Sequence, residues 1–148
     1  MIFIKNQQST IPIEVKRIRK MAKSILSFLN IPNHELSILL LDDKGITEIN
    51  KKYLNRNRPT NVISFSLTEG EFGSINPQVL GDVVISVEKA LEQAEINGKT
   101  PGEEISFLLI HGILHLLGYD HIRGKGERKR MRGKEKEVYK VVMGKKLT

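Results

Sequence analysis

Three of the chain's four histidines lie in one short segment, His111-Gly-Ile-Leu-His115-Leu-Leu-Gly118-Tyr-Asp-His121, and their spacing is typical of a metal site. His111 and His115 are four residues apart, so both lie on one face of a helix. Gly118 can end that helix in a left-handed conformation, which lets the chain bring His121 back toward the pair. Three neutral imidazoles with an open fourth position are typical of catalytic zinc. The segment therefore predicts one zinc ion per chain, ligated by His111, His115 and His121.

The residue that follows the first predicted ligand restricts the chemistry. The metzincin proteases have the same spacing in the pattern His-Glu-x-x-His-x-x-Gly-x-x-His, where the glutamate is the general base. Here that position is Gly112, which has no side chain to accept a proton. We expect Gly112→Glu to lower activity without unfolding the chain, since glycine is itself unfavourable inside a helix. A zinc peptidase or amidase that uses Asp82 or another carboxylate as base is an alternative.

The segment from His111 to His121 resembles the signature of the YbeY family of endoribonucleases. Asn50-Lys-Lys-Tyr53 with residues 59–65, and Leu-Gly-Asp-Val-Val-Ile-Ser at residues 80–86, resemble the central loop and two strands of that family. The resemblance implies a zinc-dependent endoribonuclease that cuts single-stranded RNA in the maturation of small-subunit ribosomal RNA and in ribosome quality control. It implies ribosomal RNA and the small ribosomal subunit as partners, and it gives the metal role to the same three histidines. The other alternative is a non-catalytic RNA-binding assembly factor with structural zinc.

The chain departs from the family at two places. Leu54 stands where the family usually has an arginine, so Arg56 and Arg58 are candidates for binding RNA phosphates in its place. After His121 the chain is basic, where related chains are often acidic. Asp120 is a candidate to orient a ligand histidine through a hydrogen bond, or a turn residue bonded to its own backbone. The proton acceptor in the reaction is left open.

Composition limits the class of protein. With 148 residues, 39% of them hydrophobic, the chain is expected to form a single domain over residues 1–148. The absence of cysteine excludes disulfides and thiolate zinc sites. No signal peptide and no apolar run of ~20 residues is visible, so we expect a cytoplasmic protein without a membrane partner. The net charge of +7 favours a polyanionic partner. With only 5% aromatic residues, that partner should be contacted mainly through its backbone.

Hydrophobic periodicity predicts a mixed α/β fold, in which helices pack against a sheet of about four strands and the metal site lies at a helix end. Apolar runs predict strands near residues 1–5, 36–41, 62–67 and 82–87. Helical spacing predicts a first helix from Pro12 and a last helix, packed by Val138, Tyr139, Val141 and Val142, over residues 125–144. Thr100 and Glu103 form a capping-box pattern at the start of the histidine helix. Residues 68–79 are expected to form a flexible loop, a candidate flap over the substrate.

Overall fold

The fold is a mixed four-stranded sheet with helices on both faces. The computed structural model describes residues 1–66, 78–120 and 124–147. Strands and helices follow one another in the order β1 (Ile2–Asn6), α1 (Val15–Phe28), β2 (Glu35–Leu41), α2 (Asp43–Leu54), β3 (Val62–Ser66), β4 (Val79–Ser86), α3 (Val87–Asn97), α4 (Pro101–Leu116) and α5 (Lys125–Met143). The α/β class predicted from hydrophobic periodicity is confirmed.

The sheet has the strand order β1-β2-β4-β3. β1, β2 and β4 are parallel, and β3 runs antiparallel to β4 along one edge. Gly81 makes the close approach of β3 and β4 possible: its φ of +143° lies outside the range of most side chains, and a Cβ there would overlap the carbonyl oxygen of Phe65. The edge strand is therefore held tightly against its neighbour on the side where the histidine helix packs.

The two faces of the sheet are covered unequally. Alternate residues of the central strands, such as Ile38 and Val83, join the main core with α1, α3, α4 and α5. The opposite face carries a smaller cluster, in which Val84 and Leu41 pack against Ile46 of α2. This arrangement leaves α4 deeply buried, with His111 and His115 at its less covered side.

Both ends of α4 are fixed by local signals in the sequence. At the start, the Thr100 hydroxyl accepts a hydrogen bond from the Glu103 backbone N–H, and the Glu103 carboxylate accepts one from the Thr100 N–H. The Lys145 ammonium, together with that Thr100 N–H, lowers the pKa of Glu103 from 4.5 to about 2. At the other end Gly118 adopts a φ of +93°, and the Gly118 and Tyr119 N–H groups donate back to the carbonyls of the last turn. The predicted helix start and glycine stop are confirmed.

Other predictions differ from the structure in detail. α1 begins at Val15, so Pro12 lies before the helix and not in its first turn. On α5, Val138 and Tyr139 are buried as predicted, but Val141 is 58% exposed. Most of the predicted loop at residues 68–79 lies outside the described residues. In the described part of the chain no helix is long and apolar enough to cross a membrane.

Candidate active site

The site is built around two imidazoles on α4. The Nε2 atoms of His111 and His115 lie 3.2 Å apart, and the two rings meet edge to face with their centroids 4.7 Å apart. The spacing of four residues puts both rings on one helix face, as predicted. Two nitrogens directed at each other at this distance can share a proton or bind one cation between them.

A buried glutamate from the last helix fixes the orientation of the first imidazole. Oε2 of Glu135 lies 2.8 Å from Nδ1 of His111, and the glutamate side chain is only 6% exposed. Because an ionised carboxylate can only accept, the proton of neutral His111 must reside on Nδ1, which leaves a lone pair on Nε2. Metal-binding histidines commonly donate their second N–H to a carboxylate in this way. Glu135 thus orients the His111 ring so that Nε2 can act as a ligand atom.

The sequence contained a signal for Glu135 that pattern reading missed. Met131, Glu135 and Val138 follow one another at helical spacing on the buried side of α5. A carboxylate in an otherwise apolar stripe is rarely buried without a partner. That observation alone would have indicated that Glu135 meets a donor in the interior.

The geometry of the pair fits a metal ion. Two nitrogens that each bind zinc at ~2.0–2.1 Å in tetrahedral geometry lie ~3.3–3.4 Å apart, close to the 3.2 Å between the two Nε2 atoms. The third predicted ligand, His121, lies outside the described residues. Within the described ranges no three potential ligands converge. The helix therefore supplies two preorganised nitrogens of the predicted set of three.

Gly112 faces the sheet and not the open side of the histidine pair. A Cβ at this position would lie 2.7 Å from Cγ1 of Val83 and 3.2 Å from Oγ of Ser64. The Ser64 hydroxyl also donates to the Gly112 carbonyl at 3.0 Å. The expectation that glutamate at position 112 would leave the fold intact assumed open space at this position, and that assumption is wrong, because a Cβ there requires Val83 or α4 to shift. Gly112 allows α4 to approach β3 and β4 closely.

A cleft of about 1000 Å³ joins the histidine pair to the loop after α2. Arg56 and Arg58 line this cleft together with His111 and His115. Leu54, at the position where the family usually has arginine, lines it as well. Arg56 and Arg58 thus line the same cleft as position 54, where the family usually has an arginine. This supports their predicted contact with phosphate.

One buried amide holds the arginine loop in place. Asn50 is 3% exposed, and its Nδ2 donates to the Arg58 carbonyl at 2.9 Å. The Asn50 carbonyl accepts from the Arg56 N–H at 3.2 Å, and Asn55 ends α2 in a left-handed conformation. The backbone that carries both arginines is therefore anchored to α2, although the arginine side chains are exposed.

The two aspartates considered from the sequence lie in different places. Asp120 is half-buried beside Tyr119, four residues beyond the end of α4, next to the position of His121. Its predicted contact with a ligand histidine stays a prediction.

Asp82 lines a cavity with Ser37 and Phe65 on the face of the sheet opposite to α4, since its neighbour Val83 is the residue that faces Gly112. Asp82 is therefore not placed to act as a base beside the histidines, which removes the main support for a peptidase.

Sequence comparisons identify one protein family, and a structural comparison finds a protein of similar fold. A family model described as Endoribonuclease YbeY matches residues 3–143. A protein named Endoribonuclease YbeY from Geobacter metallireducens is 48% identical over 142 residues, which is 95% of either chain. The protein of that name from Aquifex aeolicus is 42% identical over 141 residues, covering 90% of this chain and 92% of its own. The solution structure of a Thermotoga maritima protein superimposes with a TM-score of 0.69 at 26% identity, covering 97% of this chain and 90% of the other.

Proposed function

The chain belongs to the Endoribonuclease YbeY family, and from that premise we propose that it is a zinc-dependent endoribonuclease that cuts single-stranded RNA. The observation that carries the proposal is that the imidazoles of His111 and His115 line the same cleft as Arg56 and Arg58. Two imidazoles that can bind a metal ion, beside two cations that can bind phosphate, provide what metal-dependent phosphodiester hydrolysis uses.

His111, His115 and His121 would hold one zinc ion per chain. Bound zinc supplies Lewis-acid stabilisation of the charge that develops on a phosphate oxygen. The protein's own contribution begins with Glu135, which keeps the proton of His111 on Nδ1 and its lone pair on Nε2. The hydrogen bond from Ser64 to the Gly112 carbonyl fixes α4 against the edge strand, and with it the position of both rings.

Arg56 and Arg58 would bind phosphates of the RNA backbone in the same cleft as the histidine pair. Their backbone is held by Asn50, so the loop need not be ordered when RNA arrives, and less entropy is lost on binding. Guanidinium groups suit phosphate because their fork of donors can contact two oxygens at once. The low aromatic content agrees with recognition through the backbone.

We propose precursor or defective small-subunit ribosomal RNA as the substrate, with the small ribosomal subunit as partner and the cytoplasm as the location. The support is the family resemblance together with the net charge of +7, which attracts long polyanions. Asp120 would orient His121 through a hydrogen bond, as Glu135 orients His111.

The test is cleavage of a single-stranded ribosomal RNA fragment by zinc-loaded protein, beside the same sequence as a duplex and a mixture of peptides. We expect cleavage of the single strand alone. Arg56→Ala/Arg58→Ala should lower the rate of RNA cleavage. It should also reduce the slope of log affinity against log salt by ~1.4, which is ~0.7 for each lost phosphate contact. The matched control is Lys16→Ala/Arg17→Ala, which removes the same charge from the exposed side of α1.

The outcomes separate the alternatives. Cleavage of peptides and not of RNA would refute the proposal in favour of a peptidase. Tight RNA binding without cleavage under any metal loading would favour a non-catalytic assembly factor. An arginine pair variant that matches the control in both rate and salt slope would show that RNA does not lie along the loop.

A further inference from the structure

One flank of α5 carries only positive charge. Five exposed cations fall within an arc of about 80° when the helix is viewed along its axis at about 100° per residue, and they are Lys125, Lys129, Arg132, Lys136 and Lys140. We call this surface the basic flank. The acidic residues of α5 lie outside this arc: Glu135 is buried against His111, Glu127 is on the opposite side, and Glu137 is about 60° from Lys140, the nearest cation of the flank.

Ion pairing among the described residues does not account for these charges. On the opposite side of α5, Arg130 pairs with Glu127 at 3.6 Å and Lys134 pairs with Glu137 at 3.5 Å. In the described residues, by contrast, no cation of the basic flank has a carboxylate oxygen within 4.0 Å. Like charges four residues apart destabilise a helix, and Arg132, Lys136 and Lys140 form two such pairs in succession. The basic flank therefore weakens α5 and favours an anionic partner.

The middle of the basic flank lies near the histidine pair, with the Phe107 ring between them. The Arg132 guanidinium lies 5.9 Å from the centroid of the Phe107 ring, within the range of a cation–π contact. The Phe107 ring in turn lies 6.0 Å from that of His111. The flank extends along the helix axis in both directions from Arg132, and Lys125 and Lys140 at its ends are about 22 Å apart.

The composition of the flank distinguishes between classes of partner. An amphipathic helix that enters a membrane needs exposed apolar residues beside its cations, and a protein interface usually has an apolar anchor. Val141, the only large apolar residue of α5 that is strongly exposed among the described residues, points away from the flank. A row of cations without a strongly exposed apolar residue among them suits a flexible polyphosphate backbone.

We propose that the basic flank is a second binding surface for single-stranded RNA, which holds the backbone of the substrate beyond the part that lies in the cleft. The proposal rests on the proposed function, because it assigns a surface to the same RNA. If the flank binds RNA, a long RNA contacts both the cleft and the flank. An RNA of about six nucleotides, a length that one small binding module can cover, occupies the cleft alone.

The test compares two double variants on the same helix. Arg132→Gln/Lys136→Gln removes two charges from the flank, and Arg130→Gln/Lys134→Gln removes two from the opposite side. Fluorescence anisotropy measures the binding of labelled RNAs of about six and about twenty nucleotides over a salt series. Melting temperatures confirm that both variants fold. The same proteins are mixed with vesicles of phosphatidylserine and phosphatidylcholine.

We expect the flank variant to bind the long RNA more weakly, with a salt slope lower by ~1.4, and to bind the short RNA as the parent does. The control should match the parent on both. Equal effects of the two variants on the long RNA would overturn the proposal, since only net charge would then matter. The proposal would also be overturned by a flank variant that binds vesicles less than the parent but binds RNA equally well. If the parent binds neither RNA, the proposed function fails and this inference with it, whereas binding that ignores the flank refutes this inference alone.

Discussion

Glu135 is the residue whose replacement tests the site most directly. Its ionised carboxylate accepts one buried hydrogen bond of 2.8 Å from the Nδ1–H of His111. Hydrogen bonds to charged groups contribute ~1.5–3 kcal/mol. Loss of a carboxylate behind a ligand histidine typically lowers metal affinity ~10–100-fold, which is ~1.4–2.8 kcal/mol at 1.4 kcal/mol per tenfold change. The two ranges agree.

We expect Glu135→Gln to lower zinc affinity about tenfold, because the amide oxygen can still accept from Nδ1, and Glu135→Ala to lower it toward ~100-fold. Competition with a chromophoric chelator measures the affinity. The ¹⁵N shifts of the His111 ring in metal-free protein give an independent readout, since loss of the carboxylate allows the proton to move to Nε2.

The control is Glu137→Gln, which removes a carboxylate two residues away on the exposed side of the same helix. Zinc affinities within about twofold of the parent for both Glu135 variants, in proteins that melt normally, would refute the role of the carboxylate.

Three further changes test other parts of the structure. His115→Ala should abolish both zinc binding, measured by native mass spectrometry, and RNA cleavage, while His34→Ala, which replaces the histidine outside the segment, should change neither. Gly112→Ala should lower the free energy of unfolding in urea by about 1–3 kcal/mol, because the new Cβ lies 2.7 Å from the facing valine; a more stable variant would show that this contact yields freely. The lowered pKa of Glu103, about 2 against 4.5, means that its ionised form stabilises the folded chain above about pH 4.5 and that this contribution is lost as the pH falls through about 2. Glu103→Gln should therefore weaken the dependence of the melting temperature on pH between those two values. A variant whose melting temperature depends on pH as the parent's does would contradict the lowered pKa of Glu103.

The sequence predicted those features that depend on local patterns. The capping box at Thr100, the glycine stop at Gly118 and the four-residue spacing of His111 and His115 are all read within one or two helical turns. Strand and helix order followed from periodicity for the same reason. The resemblance to the YbeY family rested on short motifs whose residues are contiguous in the chain.

Contacts between distant segments could not be predicted in the same way. Glu135 is 24 residues from His111, and its role depends on how α5 packs across α4. The contact of Gly112 with Val83 depends on the depth at which α4 lies on the sheet. Pattern reading treated Gly112 as a missing base, whereas the structure shows a contact surface.

The close contact of Gly112 with the sheet also determines which changes in chain length α4 can accept. The helix is fixed at Thr100 by its capping box and at Gly118 by its terminal turn, so an added residue cannot be absorbed by shifting either end. One insertion between Thr100 and Gly112 would rotate the following residues by about 100° relative to those before it. Gly112 would turn away from Val83, and His111 would leave Glu135. α4 should therefore accept substitutions only at its few exposed positions and no insertion or deletion, which makes it a poor place to join a tag or a second domain.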